Sequence, residues 1–388
     1  MIIGIPSEVE LDEYRVAITP AGVRELVSSG HQVLIQRGAG EGSKLPDELY
    51  TNQGGELVDE IEELFEQSEL IVKVKDPSPH EVDLLKPRHT LFSFLHLAPQ
   101  PDLARRLMDS GATCIGYETV ELPGGGLPLL APMSEIAGRM AAQVGAYFLE
   151  KMIGGRGILL GGVAGVPPAK VVIIGAGIVG TNAAKIAAGM LANVKVLDRS
   201  LDRLRSLQAF VSGRLTTVAS TALAVEEYVT TADLVIGAVL IPGARAPKLI
   251  SEELVKEMVP HSVIVDVSID QGGVSETSRM TTHSQPTYLM HDVIHYCVGN
   301  IPGAVPITST FALTNATLAY ILELANQGVN AAILSNPALA KGVNVMEGKI
   351  PNQAVAESLG VPHYPISSLV PFRISGDAIP PNGVGFMG

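Results

Sequence analysis

The sequence predicts an α/β protein made of two doubly wound domains with a cleft between them. The first 116 residues alternate short apolar runs with helical patterns, which is typical of a parallel sheet covered by helices. A second series of the same kind starts at residue 170. Between them lies a stretch rich in glycine and proline, from Gly154 to Pro168. These three observations indicate two separate units.

In the first series, the strands are short runs of branched apolar residues, and the helices follow start signals. Thr19 and Pro20 mark a helix start, because Thr caps free N–H groups and Pro suits the first turn. Gly30 marks the end of that helix. Strands are predicted at Ile2–Ile5, Gln32–Gln36, Leu70–Val74, Thr90–Leu95 and Thr113–Gly116, and helices at Ala21–Ser29, Leu57–Gln67 and Pro101–Ser110.

A long helical pattern leads into the second series. Ser134 is its predicted N-cap, and apolar residues recur at spacings of three and four as far as Met152. Further strands are predicted at Lys170–Ile174, Val194–Leu197, Leu234–Ala238 and Ser262–Val267, and further helices at Gly180–Leu191 and Thr308–Ala325.

The order of these elements predicts the domain boundaries. We expect residues 1–130, together with about 305–360, to form one domain, and residues 131–304 to form the other. The last segment, 361–388, is rich in proline and glycine. It is therefore predicted to be a poorly ordered tail.

Composition excludes several classes of function. The 388 residues include 27 Lys plus Arg and 40 Asp plus Glu, a formal net charge of −13. Because an acidic protein is repelled by phosphate backbones, we expect no nucleic-acid partner. No run of about 18 uninterrupted apolar residues occurs, so we expect no membrane span. Two cysteines and an N terminus unlike a secretory signal favour a cytoplasmic protein.

The strongest motif directly follows the first strand of the second series. Gly175, Gly177 and Gly180 have the spacing G-x-G-x-x-G and open a helix; the alternative is that they only shape a turn. In a dinucleotide site they allow a tight turn, approach of the pyrophosphate and close helix packing, respectively. The next strand ends in Asp198, whose carboxylate suits ribose hydroxyls and repels a 2′-phosphate. The second domain is thus predicted to be a Rossmann-like domain that favours NAD, although the neighbouring Arg199 could seat a 2′-phosphate.

Charged side chains follow five predicted strands, at the edge where parallel α/β sheets bind ligands. Arg15 and Lys75 suit an anionic substrate, and an arginine can hold a carboxylate through two parallel hydrogen bonds. His96 suits acid–base catalysis, Asp270 would lie near the nicotinamide, and Glu118 is a further candidate. The alternative for each is structural, because such His, Lys, Arg and Asp residues are often satisfied, solvated or N-capping side chains.

Other chemistry has little support in the sequence. His291 and His295 lack the H-E-x-x-H pattern of zinc proteases, and no cysteine pair has zinc spacing. Both histidines are therefore predicted to be core or wall residues. The phosphate-binding G-x-x-x-x-G-K-[ST] motif and the nucleophile motif G-x-S-x-G are also missing.

Five longer runs are specific enough to compare with known families. They are Arg15-Val-Ala-Ile-Thr-Pro, Val74-Lys-Asp-Pro, Phe94-Leu-His-Leu-Ala, Ala131-Pro-Met-Ser-Glu-Ile-Ala-Gly-Arg-Met and Gly299-Asn-Ile-Pro-Gly-Ala-Val-Pro. Together they resemble the family of NAD-dependent alanine dehydrogenases, from residue 1 to about 360. The related NAD-binding subunit of proton-translocating transhydrogenase shares the fold and several motifs.

The resemblance implies reversible oxidative deamination of L-alanine to pyruvate and ammonia, with hydride transfer between the alanine Cα and the nicotinamide C4. It implies that Arg15, Lys75 and Met133 bind the substrate and that His96 and Asp270 are catalytic. It also implies a homohexamer. The glycine turn and the positions that match NAD contacts are Ser134, Gly175, Gly177, Ile178, Val179, Gly180, Asp198, Arg203, Ser220, Val239, Leu240, Val267, Asp270, Arg279, Val298 and Asn300.

Two other functions stay open at this point. A transhydrogenase subunit would need a membrane partner and an NADP-binding component, and an NAD sensor would bind the cofactor without turnover. The sequence also departs from the family beyond Leu359. The resemblance also implies a metal site in some members of the family, between an acid and a histidine at the positions of Asp202 and Gln327. This chain lacks the histidine, so no metal is predicted.

Overall fold

Two seven-stranded sheets, each flanked by helices, form the protein over residues 1–240 and 246–370, the part that the computed structural model describes. Most central strands are buried along their whole length, as parallel strands covered on both faces must be. This confirms the predicted α/β class with two doubly wound, Rossmann-like units.

The first unit begins at the N terminus. Its strands β1 to β6 lie at Ile2–Ile5, Gln32–Gln36, Glu56–Val58, Leu70–Val72, Thr90–Ser93 and Thr113–Gly116. Its helices α1 to α5 lie at Pro20–Ser28, Asp47–Thr51, Ile61–Gln67, Pro79–Leu84 and Pro101–Ser110. The side chain of Thr19 caps α1, as predicted. The predicted helix at Leu57–Gln67 is wrong in its first part, because Leu57 and Val58 belong to β3.

A long helix, α6 at Ala131–Phe148, leads into the second unit. Ser134 is its fourth residue and not its N-cap, because the first turn accepts Pro132 and the helix starts earlier than predicted. Strands β7 to β13 lie at Lys170–Ile174, Asn193–Asp198, Leu215–Ala219, Leu234–Gly237, Val263–Asp266, Thr287–Met290 and Val293–Tyr296. Helices α7 to α10 lie at Ile178–Gly189, Leu201–Phe210, Ala222–Val229 and Glu252–Glu257.

The C-terminal segment returns to the first sheet. It contains the helices α11 to α13 at Pro306–Gln327, Val329–Ser335 and Pro337–Gly342, the strand β14 at Val343–Val345 and the helix α14 at Gln353–Leu359. Leu369 and Val370 are buried in the core, so the folded chain extends past residue 361, where the tail was predicted to begin. The rest of the predicted tail, 371–388, lies outside the described residues.

The strand orders place the candidate residues at two crevices. They are β14-β6-β5-β4-β1-β2-β3 and β12-β13-β11-β10-β7-β8-β9, and only the edge pairs β14–β6 and β12–β13 are antiparallel among the paired strands of the described chain. The strand order reverses between β1 and β4 in the first sheet and between β7 and β10 in the second, because successive strands are added first on one side of β1 or β7 and then on the other. Ligands of such sheets bind beyond the carboxyl ends of strands at these reversals. Arg15 and Lys75 follow β1 and β4, and Gly175 follows β7.

The connecting helix α6 packs closely on the second unit. A Cβ at Gly138 would lie 2.2 Å from the carbonyl oxygen of Val179 in α7, so the two helices approach backbone to backbone. A Cβ at Gly145 would lie 2.5 Å from the Leu234 side chain in β10. Within the described ranges, no helix combines the length and apolar character that crossing a membrane requires.

Candidate active site

Three glycines shape the turn between β7 and α7. Gly175 has φ +108°, which favours glycine, and a Cβ at Gly180 would lie 1.8 Å from the carbonyl oxygen of Gly175. A Cβ at Gly177, by contrast, would meet no heavy atom within 4 Å. Gly177 is also the N-cap of α7 and supplies no side-chain cap to it. The turn therefore offers helix N–H groups and room beside them, which suits a phosphate group.

Asp198 ends β8 beside this turn. Its Oδ2 accepts a hydrogen bond from the backbone N–H of Ala176 at 2.6 Å, and its Oδ1 accepts one from Ser200 at 2.7 Å. The Arg203 guanidinium lies 4.0 Å away. Since a carboxylate can accept about four hydrogen bonds, both oxygens keep the capacity to bind ribose hydroxyls.

Most remaining candidate cofactor residues lie beyond the carboxyl ends of the neighbouring strands. They follow β9, β10, β11 and β13 and are Ser220, Val239, Leu240, Val267, Asp270, Val298 and Asn300. Ile178 and Val179 open α7, and Ser134 lies on α6, which packs against it. The Arg279 guanidinium lies over the Tyr288 ring, 4.3 Å from its centre. The structure thus gathers most of the predicted set along one edge of the second sheet.

Arg15 lies in the loop after β1 and is almost fully buried, with 3% of its side chain exposed. Its Nε and Nη2 donate to the two carboxylate oxygens of Glu13, at 2.7 and 2.5 Å. Nη2 also donates to Asn300 Oδ1 at 2.8 Å, and Nη1 lies 3.2 Å from the Met133 sulfur. Glu13 therefore occupies the Nε–Nη2 edge of the guanidinium, one of the edges through which an arginine can hold a carboxylate by two parallel hydrogen bonds.

Lys75 follows β4 next to a buried group of charges. Its Nζ lies 3.1 Å from the half-exposed carboxylate of Glu10, and its backbone N–H donates to Glu8 at 3.3 Å. Glu8 also lies 3.2 Å from the buried Lys73 ammonium, which bonds to Glu81 at 2.6 Å. Burial raises the pKa of the Glu8 carboxyl, although the Lys73 charge opposes it. This ionic group fixes the backbone that carries Lys75.

His96 stands in a strained turn after β5. Its φ is +45°, a conformation that non-glycine residues rarely adopt and that is enriched at functional sites. The Glu118 carboxylate holds this turn, because it accepts the backbone N–H of His96 at 2.8 Å and that of Leu95 at 3.3 Å. The His96 ring is exposed and stacks on Phe94, with ring centres 5.5 Å apart. Glu118 is thus bonded to the backbone under His96.

Asp270 brings the two units together. It lies in a short 3-10 helix, Val267–Gln271, after β11. Protein atoms crowd around its carboxyl in the cleft and raise its pKa, while the charges of His96 and Lys75 and the backbone N–H of Asn300 pull the pKa down. The net effect is a raised pKa, although the residue as a whole is exposed to solvent. Lys75 and His96 of the first unit therefore face Asp270 of the second.

The side chains weighed as metal ligands have protein partners instead. His295 is buried and bonds to Thr277 at 2.7 Å, and His291 bonds to Glu252 at 2.9 Å. Asp202 pairs with Arg205, and Gln327 accepts a hydrogen bond from Ser335.

Comparison with known proteins identifies the family. Residues 4–137 match the family described as "Alanine dehydrogenase/PNT, N-terminal domain", and residues 141–353 match its C-terminal domain. The chain belongs to the alanine dehydrogenase/PNT family. This confirms the resemblance carried by the sequence motifs.

Individual members of the alanine dehydrogenase/PNT family match nearly end to end. The chain is 54% identical to an alanine dehydrogenase of Methanococcus maripaludis over 94% of this chain and 98% of the relative. A solved structure named L-alanine dehydrogenase has 48% identity and a TM-score of 0.89 and covers 93% of this chain and 99% of its own. A transhydrogenase from Sinorhizobium meliloti, at 23% identity, shares the fold with a TM-score of 0.75 over 91% of this chain and 100% of its own.

Sequence reasoning missed the acidic partners of the cations in this alanine dehydrogenase/PNT chain. Glu13 precedes Arg15 by two residues, and side chains two apart point the same way in extended chain, so this pairing had a signal. Lys73 interrupts the apolar run Leu70–Val74, which marks a buried and paired lysine. The contact of Lys73 with Glu8 joins loops 65 residues apart and had no local signal.

Proposed function

We propose that the chain catalyses the reversible oxidative deamination of L-alanine to pyruvate and ammonia, with NAD as the hydride acceptor. The observation that carries this proposal is the approach of Lys75 and His96 to Asp270, in a chain 54% identical to an alanine dehydrogenase. Two cationic groups, an acid–base pair and a dinucleotide turn are what this reaction requires.

NAD fits the residues of the second unit. The open space at Gly177, beside the N terminus of α7, would take the pyrophosphate, and Asp198 would bind the adenosine ribose. The carboxylate of Asp198 supports NAD over NADP, because it repels a 2′-phosphate. When bound, NAD supplies the site that accepts the hydride from the alanine Cα and returns it in the reverse direction.

The first unit would bind the substrate. Nη1 of Arg15 faces Met133, whose sulfur is a weak acceptor, so a substrate carboxylate is a stronger partner for Nη1. Lys75 adds a second positive charge and suits the carbonyl oxygen of pyruvate. These contacts orient the Cα of alanine, and such positioning supplies a large part of the rate enhancement in bimolecular reactions.

His96 and Asp270 would move the protons. His96 faces Asp270 from the first unit, Glu118 holds the backbone of its turn, and its ring stacks on Phe94. It relays protons as ammonia adds to the pyruvate carbonyl and water leaves. Asp270 lies opposite, where its carboxylate stabilises cationic intermediates of the substrate or takes up a proton.

The assembly and the location extend this proposal. Residues 1–130 with about 305–360 would form the substrate domain, and residues 131–304 the NAD-binding domain. We further propose a cytoplasmic homohexamer. The return of β14 to the first sheet supports the domain assignment, and the low cysteine content supports the location. The homohexamer rests on the resemblance to alanine dehydrogenases.

The test is the formation of NADH from L-alanine and NAD at alkaline pH, followed by absorbance beside a blank without alanine. We expect alanine-dependent turnover. His96→Ala should reduce kcat by about 100-fold or more, as loss of a general acid–base group does, and should leave NAD binding unchanged. His80→Ala, an exposed histidine paired with Glu62, is the matched control and should keep full activity.

Two outcomes would contradict the proposal. NAD binding without alanine-dependent turnover would favour the transhydrogenase subunit or the NAD sensor. Unchanged turnover in His96→Ala would reject the role of His96.

A further inference from the structure

A buried carboxylate with no role in the proposed proton transfers holds Arg15. The Glu13 side chain has 0% of its surface exposed, and it forms two parallel hydrogen bonds with the guanidinium, at 2.7 and 2.5 Å. The same carboxylate accepts the backbone N–H of Arg15 at 3.0 Å. Glu13 therefore fixes both the guanidinium and the backbone that carries it. Paired charges with this geometry are the strong, directional class of hydrogen bond.

Asn300 completes this arrangement from the second unit. Its Oδ1 accepts from Arg15 Nη2 at 2.8 Å, and its Nδ2 donates to Glu13 Oε2 at 2.9 Å. Its backbone adopts φ +57°, and its backbone N–H faces the Asp270 carboxyl and helps to lower the pKa of that group. A Cβ at Gly303 would lie 2.8 Å from Asn300 Nδ2, so glycine there leaves room for the amide. One residue thus contacts the carboxylate, the guanidinium and Asp270.

These contacts leave one guanidinium nitrogen for a ligand. Nε and Nη2 bond to Glu13 and Asn300, whereas Nη1 lies 3.2 Å from the Met133 thioether. Burial by itself would raise the pKa of the Glu13 carboxyl, but the hydrogen bonds and charge of Arg15 outweigh burial and hold the pKa below its usual value. Glu13 is therefore ionised at neutral pH and stays paired with Arg15.

We propose that Glu13 is a positioning residue for substrate binding. It holds Arg15 so that Nη1 points to the substrate carboxylate, and Asn300 completes the hold across the cleft. This inference rests on the proposed function. Because alanine and pyruvate share the carboxylate, the loss of Glu13 should weaken the binding of both to the same extent. The binding of oxamate, an unreactive carboxylate of the same shape as pyruvate, should weaken equally.

The test is Glu13→Gln, since the amide keeps the shape but replaces an acceptor oxygen with a donor that faces Arg15 or Asn300. We expect KM for alanine and for pyruvate to rise about 10- to 100-fold, the scale of a charge-assisted hydrogen bond. The Kd of oxamate for the NADH-saturated protein, measured by calorimetry, should rise by the same factor. kcat and the Kd of NADH should stay within about threefold.

Asp233→Asn is the matched control. Asp233 is a buried carboxylate paired with Arg156, and it directly precedes β10, at the opposite edge of the second sheet from the cleft. Its loss should lower Tm without changing any substrate constant. Glu13→Asp keeps the charge and serves as the second variant if Glu13→Gln fails to fold. It should recover part of the oxamate affinity.

Each outcome decides the inference. If Glu13→Gln lowers Tm as the control does but leaves KM and the oxamate Kd unchanged, Glu13 is only structural. If kcat falls while the oxamate Kd is unchanged, Glu13 acts in the chemistry, and the positioning role is overturned. A wild-type protein that makes no NADH from alanine would overturn the proposed function instead, and the oxamate titration would still test Glu13.

Discussion

The glycine turn between β7 and α7 predicts opposite effects for two alanine substitutions. In Gly177→Ala, the new methyl group meets no heavy atom within 4 Å, so the fold accepts it. Alanine is a poorer N-cap than glycine by roughly 0.5–1 kcal/mol. The lower entropy of alanine in the unfolded chain offsets this by about 0.4–1 kcal/mol. The free energy of unfolding should therefore change by less than about 1 kcal/mol. The methyl group enters the space assigned to the pyrophosphate, and we expect the Kd of NADH to rise at least tenfold.

In Gly180→Ala, the methyl group would lie 1.8 Å from the carbonyl oxygen of Gly175, whereas real Cβ contacts are essentially never under 3.0 Å. The helix α7 and the glycine turn would have to separate by more than 1 Å. Overpacking of this kind costs about 1–3 kcal/mol. Since about 1 kcal/mol shifts Tm by about 2–4 °C in chains of 150–250 residues, the loss is measurable. Both stability and NADH affinity should fall.

The assay combines thermal unfolding by far-UV circular dichroism with titration of NADH by its own fluorescence. The expected pattern is a binding defect alone in Gly177→Ala and a combined defect in Gly180→Ala. An NADH affinity within twofold of wild type in Gly177→Ala would refute the placement of the pyrophosphate. A larger loss of stability in Gly177→Ala than in Gly180→Ala would refute the packing argument.

Two further predictions concern acidic residues. Asp270→Asn should lower kcat by about 100-fold or more. Because burial raises the pKa of Asp270, the wild-type protein should lose the ionised form, and with it activity, at a higher pH than an ordinary aspartate would as the pH falls. This acid limb should be missing from the pH–rate profile of the variant. An identical limb in both proteins would contradict this role. Asp198→Ala should raise KM for NAD and narrow the preference over NADP, measured as kcat/KM with each cofactor, and an unaltered preference would count against the ribose contact.

The sequence predicted most strands and the glycine turn because these depend on local patterns. Runs such as Leu234–Ala238 are apolar and short, and the spacing of Gly175 and Gly180 reflects contacts within one turn. The exposed elements were harder to predict. β9 at Leu215–Ala219 is only partly buried, and it was missed because it lacks a clear apolar run.

The shared edge of the candidate residues was predictable from the sequence, but their contacts were not. Arg15, Lys75, His96 and Asp270 each follow a strand, so their shared edge could be expected from topology. The pairing of Arg15 with Asn300 joins residues 285 apart and depends on how the two units pack. The same holds for the position of Asp270 opposite His96. Local sequence carries no information about such distances.

The tight packing of α6 has a mechanical consequence. Gly138 and Gly145 let this helix pack directly on α7 and β10, so it moves with the second unit. Met133, at the start of α6, touches Arg15 on the other side. If the two units rotate apart about a hinge, Met133 and Asn300 move together and lose their contacts with the Arg15 guanidinium at the same time. The surroundings of Arg15 would then form and break in one concerted step.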